Sequence, residues 1–284
     1  MTSPPGATEQ MAAGDYHGQP TARIQNKHLW LDVLSAAGPR IIRLGLSGST
    51  DNVLAETPDA GWQTPHGRYE LFGGHRLWFA PEDPDLVAVP DAHGLMLTMT
   101  DTGAELRGQP DPVTGLVRSI AVRLDPRAAA IELSHELRNT GEATIELAPW
   151  AITQLPLGGV VTLPQPGLTS EHVVQPNRLV VLWPYTSWQD ARLQLRDGEC
   201  RVLGESGPPL KIGAFVAGGS VSYSRNGIAL TRLFKPIAGA RYADLGCNVE
   251  VYADQRFLEL EVLGPLTQLA PGGRVLFDER WELT

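Results

Sequence analysis

The chain has 284 residues, of which 42% are hydrophobic and only 19% charged, with 30 glycines and 23 prolines. That length can bury a sizeable core, and the composition suits a turn-rich β protein better than a helical bundle, which needs Lys, Glu and Ala in periodic runs. A formal net charge of −9 argues against non-specific nucleic-acid binding, which needs a basic surface, and fits a neutral small-molecule partner.

Residues 1–22 are rich in Pro, Gly, Ala, Thr and Gln without periodicity and read as a disordered tail. The opening Met1-Thr2-Ser3-Pro4 has no basic stretch or apolar run of a secretory signal. Nor does any run reach the ~18 apolar residues a membrane span requires. The sequence therefore predicts a cytoplasmic protein with no membrane partner, and free, buried Cys200 and Cys247. A single domain is expected over residues 23–284. It opens with a strand from Ile24 to Leu34, a Gly38-Pro39 turn and a second strand from Arg40 to Leu46, together a hairpin.

After them comes a dense decad, Gly73-Gly74-His75-Arg76-Leu77-Trp78-Phe79-Ala80-Pro81-Glu82. Two glycines let the backbone approach or bulge where a side chain would obstruct it. Trp offers a surface for C–H groups, Arg and Glu bind hydroxyls, and His can carry a proton, so the mixture suits a polar ligand with an apolar face. Short strand-like runs then recur, among them Leu116–Leu124, Ile131–Leu137, Thr144–Leu155, Leu210–Val216, Ile228–Phe234, Val249–Tyr252, Phe257–Leu263 and Val275–Leu283. With no long amphipathic helix, this spacing implies an all-β sandwich or barrel, most simply one large antiparallel sandwich.

Period-two alternation assigns faces. In Phe257–Leu263, Leu258, Leu260 and Val262 share one face, while Glu259 and Glu261 share the other, where neighbouring carboxylates raise each other's pKa if partly buried. Asn248, Glu250 and Tyr252 form a second polar stripe. His135 falls on an apolar face, the usual place of a core histidine, and His66 sits in a loop near His75 in sequence. No metal-ligand spacing, nucleophile elbow, phosphate loop or dinucleotide fingerprint occurs, so neither a metal site nor a cofactor is expected.

The order of these marks resembles the galactose mutarotase-like superfamily, the supersandwich proteins that include aldose 1-epimerases, over about residues 23–284. Beyond the decad, the resemblance rests on Ile24-Gln25-Asn26, Gly38-Pro39-Arg40, Leu137-Arg138-Asn139-Thr140-Gly141, Ala148-Pro149-Trp150 and Gly158-Gly159. It rests also on Leu258-Glu259-Leu260-Glu261, Leu269-Ala270-Pro271-Gly272 and Glu279-Arg280-Trp281. It implies a galactose mutarotase-like β-supersandwich that recognises a sugar and interconverts its anomers. A late-strand glutamate takes the anomeric proton and a histidine protonates the ring oxygen. The glutamate position is matched by Glu261, or Glu259 in a shifted register; the usual histidine position holds Pro149-Trp150, which leaves His75, or else His66, as the acid. Arg76, Glu82, Glu259, Asn248 and Glu250 would bind hydroxyls, and Trp78 and Trp150 would stack on the sugar. The departure at the histidine keeps two rivals open: a non-catalytic sugar-binding protein, and a glycoside hydrolase or lyase using paired carboxylates such as Glu82 and Glu261.

Overall fold

The computed structural model describes residues 13–169 and 171–284. Among them, eleven strands form one sheet, ten form a second and two form a small third, with the paired strands antiparallel. Helix is confined, among the described residues, to the single turn Pro84–Val87, whose cap Asp83 accepts a hydrogen bond from the Asp85 amide. No helix there is long and apolar enough to cross a membrane.

The centre of the first sheet runs, in spatial order, through Arg40–Leu46, His75–Ala80, Ile145–Pro156, Phe257–Leu263, Val249–Ala253 and Leu210–Ala214. The second is centred on Ser220–Arg225, Ile228–Phe234, Arg274–Leu283, Ala130–Asn139 and Leu116–Leu124. Their inner faces meet: Leu258, Leu260 and Val262 of the first join Leu133, Leu137 and Trp281 of the second in one buried apolar cluster. Each such side chain contributes about 1.5–3 kcal/mol on burial.

Polar groups also bridge the two sheets. Arg232 is fully buried and donates to both Glu279 oxygens at 2.7 Å, to Thr153 Oγ1 at 2.9 Å and to the Ala151 carbonyl at 3.1 Å. Beside it His75 Nε2 lies 2.8 Å from His135 Nε2.

Three local expectations change. Residues 13–22, read as tail, lie in the strands Ala13–Tyr16 and Gln19–Gln25, joined by the two-residue turn His17-Gly18 with φ of 50° and 87°; residues 1–12 lie outside the described residues. The expected strand from Ile24 to Leu34 is broken because Asn26 Oδ1 accepts from the amides of His28 and Leu29, which turns the chain between two strands. The Leu29–Leu34 and Arg40–Leu46 strands do pair as the predicted hairpin. Finally, the decad, read as one ligand site, is divided by regular structure: Gly73 ends one strand, Gly74 bends, and His75–Ala80 form the next. Phe72, Gly73 and Gly74 have φ of 59°, 96° and 64°, a bend that takes the chain from the small sheet into the large one. A Cβ on Gly74 would lie 2.1 Å from the Ile41 carbonyl oxygen, so the backbone contact at this bend requires glycine. Cys200 and Cys247 are buried and free, as anticipated.

Candidate functional site

The outer face of the first sheet is organised by register. Trp150 stands opposite Trp78, Ile152 opposite both Arg76 and Glu261, Glu261 opposite Glu250, and Tyr252 opposite both Glu259 and Lys211. Because adjacent strand residues face opposite ways, these side chains rise together on one face of five neighbouring strands. A cleft of about 280 Å³ opens above them, lined by Arg76, Trp78, Glu82, Trp150, Glu259 and Glu261, and also by Trp62, Tyr185, Lys211, Tyr252 and Arg256. Two regions separated widely in sequence, the decad and the Phe257–Leu263 strand, thus meet across one hollow.

The floor is a set of buried ion pairs. Lys211 Nζ lies 2.8 Å from Glu250 Oε2 and 2.9 Å from Glu261 Oε2. Trp150 Nε1 donates to that same Glu261 oxygen at 2.7 Å, and Lys211 sits 4.6 Å from the Trp150 ring centroid. Glu261 Oε1 accepts no hydrogen bond among the described residues and is the oxygen left for a ligand. Arg76 donates from Nη2 to Glu259 at 3.0 Å and lies over the Trp78 ring at 4.4 Å, while its buried Nε and Nη1 have no partner among the described residues. Trp78 Nε1 is bonded to Tyr69 Oη at 2.9 Å, which fixes the indole plane.

Protonation follows from burial. Loss of hydration raises the carboxyl pKa of Glu259, opposed by Arg76, and raises Glu250 strongly, opposed by Lys211 and reinforced by Glu261. Burial pulls Lys211 down, yet Glu261 and Glu250 together hold it above the ordinary lysine value. Glu82 is also raised, chiefly by the loss of solvent around it in the cleft, and makes no ion pair or hydrogen bond among the described residues. Burial pushes the Tyr185 phenol up to about 12.

Three sequence-predicted residues do not reach the cleft wall. His75 shares its strand with Arg76 and Trp78 but has the opposite parity. It points between the sheets, bonded to Thr153 Oγ1 at 2.9 Å and to His135, with burial holding its pKa well below the ordinary histidine value. It cannot serve as the acid. Asn248 is fully buried and spends its amide on the Val216 backbone, accepting at 2.7 Å and donating at 3.2 Å. Glu250 lies behind Lys211 and touches that residue rather than the cleft. His66, the other imidazole considered, bonds the Asp85 carbonyl and does not line the cleft either. Conversely, sequence reasoning missed Lys211, whose signal was a lone cation within the apolar run Leu210–Val216. It also missed Trp62 and Tyr185, which come from segments with no strand pattern to orient them.

No family model and no curated protein matches the sequence. Among solved structures, a candidate mutarotase from Salmonella typhimurium superposes on 98% of this chain and 94% of its own, at TM-score 0.62 and 12% identity. A galactose mutarotase-like protein from Lactobacillus casei covers 93% of this chain and 100% of its own, at TM-score 0.58 and 10% identity. A TPR-domain containing protein from Parabacteroides distasonis matches 94% of this chain at TM-score 0.63 and 13% identity, and the chain spans 47% of that protein's length. At these identities the likeness is one of fold.

Proposed function

We propose that this chain, which has the galactose mutarotase-like fold, binds a saccharide in the cleft and interconverts its anomers by carboxyl acid–base chemistry. The observation that supports this reading most is the convergence of Glu261, Glu259, Glu82, Arg76 and two indoles on one hollow of about 280 Å³. Aromatic faces suit the C–H side of a pyranose, and paired polar groups suit its hydroxyls. The unpartnered Nε and Nη1 of Arg76 are buried donors that an oxygen-rich ligand, or a water it orders, would satisfy.

Glu261 is the base in this reading: Lys211 and Trp150 hold Oε2, and Oε1 takes the anomeric proton. The ring oxygen receives its proton from Glu82, the cleft carboxyl without an ion pair among the described residues, whose pKa lies above the ordinary carboxyl value. Ring opening leaves Glu261 protonated and Glu82 ionised; after rotation about C1, reclosure returns the Glu261 proton to O1 and the O5 proton to Glu82. Trp78 and Trp150 support the sugar face, and Arg76 with Glu259 bind hydroxyls. Polarimetry on α-glucose and α-galactose tests the chemistry: Glu261→Gln should lower the rate by about 10²–10⁴-fold, the usual contribution of a general base. Interconversion unchanged in both Glu261→Gln and Glu82→Gln would refute it.

One observation favours a second reading, saccharide binding without turnover: the decad's own imidazole, His75, is sealed between the sheets. Saturable binding in calorimetry with no gain in anomerisation rate would select that reading.

A further inference from the structure

We infer that the cleft carries a second sugar subsite at its mouth, so that its ligand is a chain of at least two pyranose units rather than a free monosaccharide. This rests on the saccharide reading of the floor. Trp62 and Tyr185 line the same cleft as Trp78 and Trp150 but remain 41% and 51% exposed, whereas Trp78 and Trp150 are each 4% exposed. The buried Tyr69 ties the outer indole to the floor: Trp62 lies 5.1 Å from Tyr69, Tyr69 lies 5.5 Å from Trp78, and Trp78 lies 5.7 Å from Trp150. One pyranose covers about one indole face, so a monosaccharide on the floor leaves the outer indole unused.

Folding accounts for one side of that outer indole: Trp62 belongs to the strand Glu56–Thr64 of the two-stranded sheet and packs on its cross-strand partner, the buried Tyr69, while 41% of it stays exposed. Together with Tyr185 it gives the rim of the cleft an open aromatic surface suited to the C–H face of a sugar. The mouth also differs from the floor in chemistry. Its charged member is Arg256, a half-exposed guanidinium held by Asp254 at 2.8 and 3.0 Å, able to donate to a hydroxyl. The carboxyl groups Glu259 and Glu261 are confined to the floor, where Arg76 and Lys211 hold them. Trp62, Tyr185 and Arg256 therefore stack and orient a sugar without reacting with it.

Calorimetry with glucose and galactose, then with cellobiose, maltose and lactose, tests the subsite in the wild type and in Trp62→Ala, with a thermal melt to establish that the variant is folded. At least one disaccharide should bind tenfold or more tightly than its constituent monosaccharide, about 1.4 kcal/mol. In Trp62→Ala the ratio of the two affinities should fall to about one. A failure of all three disaccharides to bind more tightly than their monosaccharides, or an advantage that persists in Trp62→Ala, overturns the subsite and leaves the floor reading standing. Binding of none of the five sugars overturns both.

Discussion

Replacing Lys211 with Met removes one cation and leaves its volume largely intact. In the native protein that ammonium lies between Glu250 at 2.8 Å and Glu261 at 2.9 Å, and all three groups are nearly inaccessible to solvent. Glu250 and Glu261 are direct partners on neighbouring strands, so without Lys211 two carboxyls face each other in the protein interior. Breaking a buried pair by removing one partner costs about 3–5 kcal/mol. For a chain of this size each kcal/mol shifts Tm by about 2–4 °C, so the variant should melt about 6–20 °C lower.

The cost should also depend on pH. Glu250 already titrates above its ordinary value, so the folded chain keeps a proton that the unfolded chain gives up. Its favourable contribution is complete below the unfolded value of 4.5 and is lost as pH rises through the folded one. Lys211 opposes that rise, so its loss carries the penalty to higher pH. Urea denaturation of Lys211→Met should show a deficit that is larger at pH 7 than at pH 5, and adding Glu250→Gln should recover part of it. A deficit under about 1 kcal/mol at both pH values would refute the reasoning, because a buried charge left unpaired cannot be that cheap.

The other predictions concern the interior and the decad. Burial holds His75 and His135 below the histidine value of 6.5, so their contribution is complete above 6.5 and is lost as pH falls towards the folded values; unfolding free energies from urea melts should decline by up to about 1.4 kcal/mol per pH unit for each histidine. His135→Gln should flatten that decline, and an unchanged slope would show that the pair is not its source. Gly74→Ala places a Cβ against the Ile41 carbonyl at a φ of 64°, and should destabilise by about 1–3 kcal/mol in equilibrium unfolding, whereas a neutral outcome would mean the bend relaxes freely.

Strand parity made much of this legible in advance. The alternation of Leu258, Leu260 and Val262 with Glu259 and Glu261 predicts the faces that the two sheets adopt. The same rule, applied within the decad, separates His75 from Arg76 and Trp78: if the arginine and indole face the cleft, the neighbouring imidazole must face the core. The sequence reading treated those ten residues as one irregular site and so placed all their side chains together. Lys211 was visible as a cation in an apolar strand, but its partners lie on other strands and only register brings them within 3 Å. The hairpin of residues 13–25 escaped notice because Ala13–Tyr16 is mostly exposed and Gln19–Gln25 buries small or polar residues such as Thr21 and Ala22, without the strong apolar alternation that marks a half-buried strand.

The indole N–H resonances of the seven tryptophans report most directly on whether the cleft receives a saccharide. In a titration with glucose, galactose and cellobiose, Trp78 and Trp150 at the floor should shift saturably with at least one sugar. Trp30, bonded to the Ser49 carbonyl, and Trp281, sealed in the core against Glu279, should stay in place. Shifts absent at Trp78 and Trp150 with all three sugars, or equal at Trp30 and Trp281, would contradict the account.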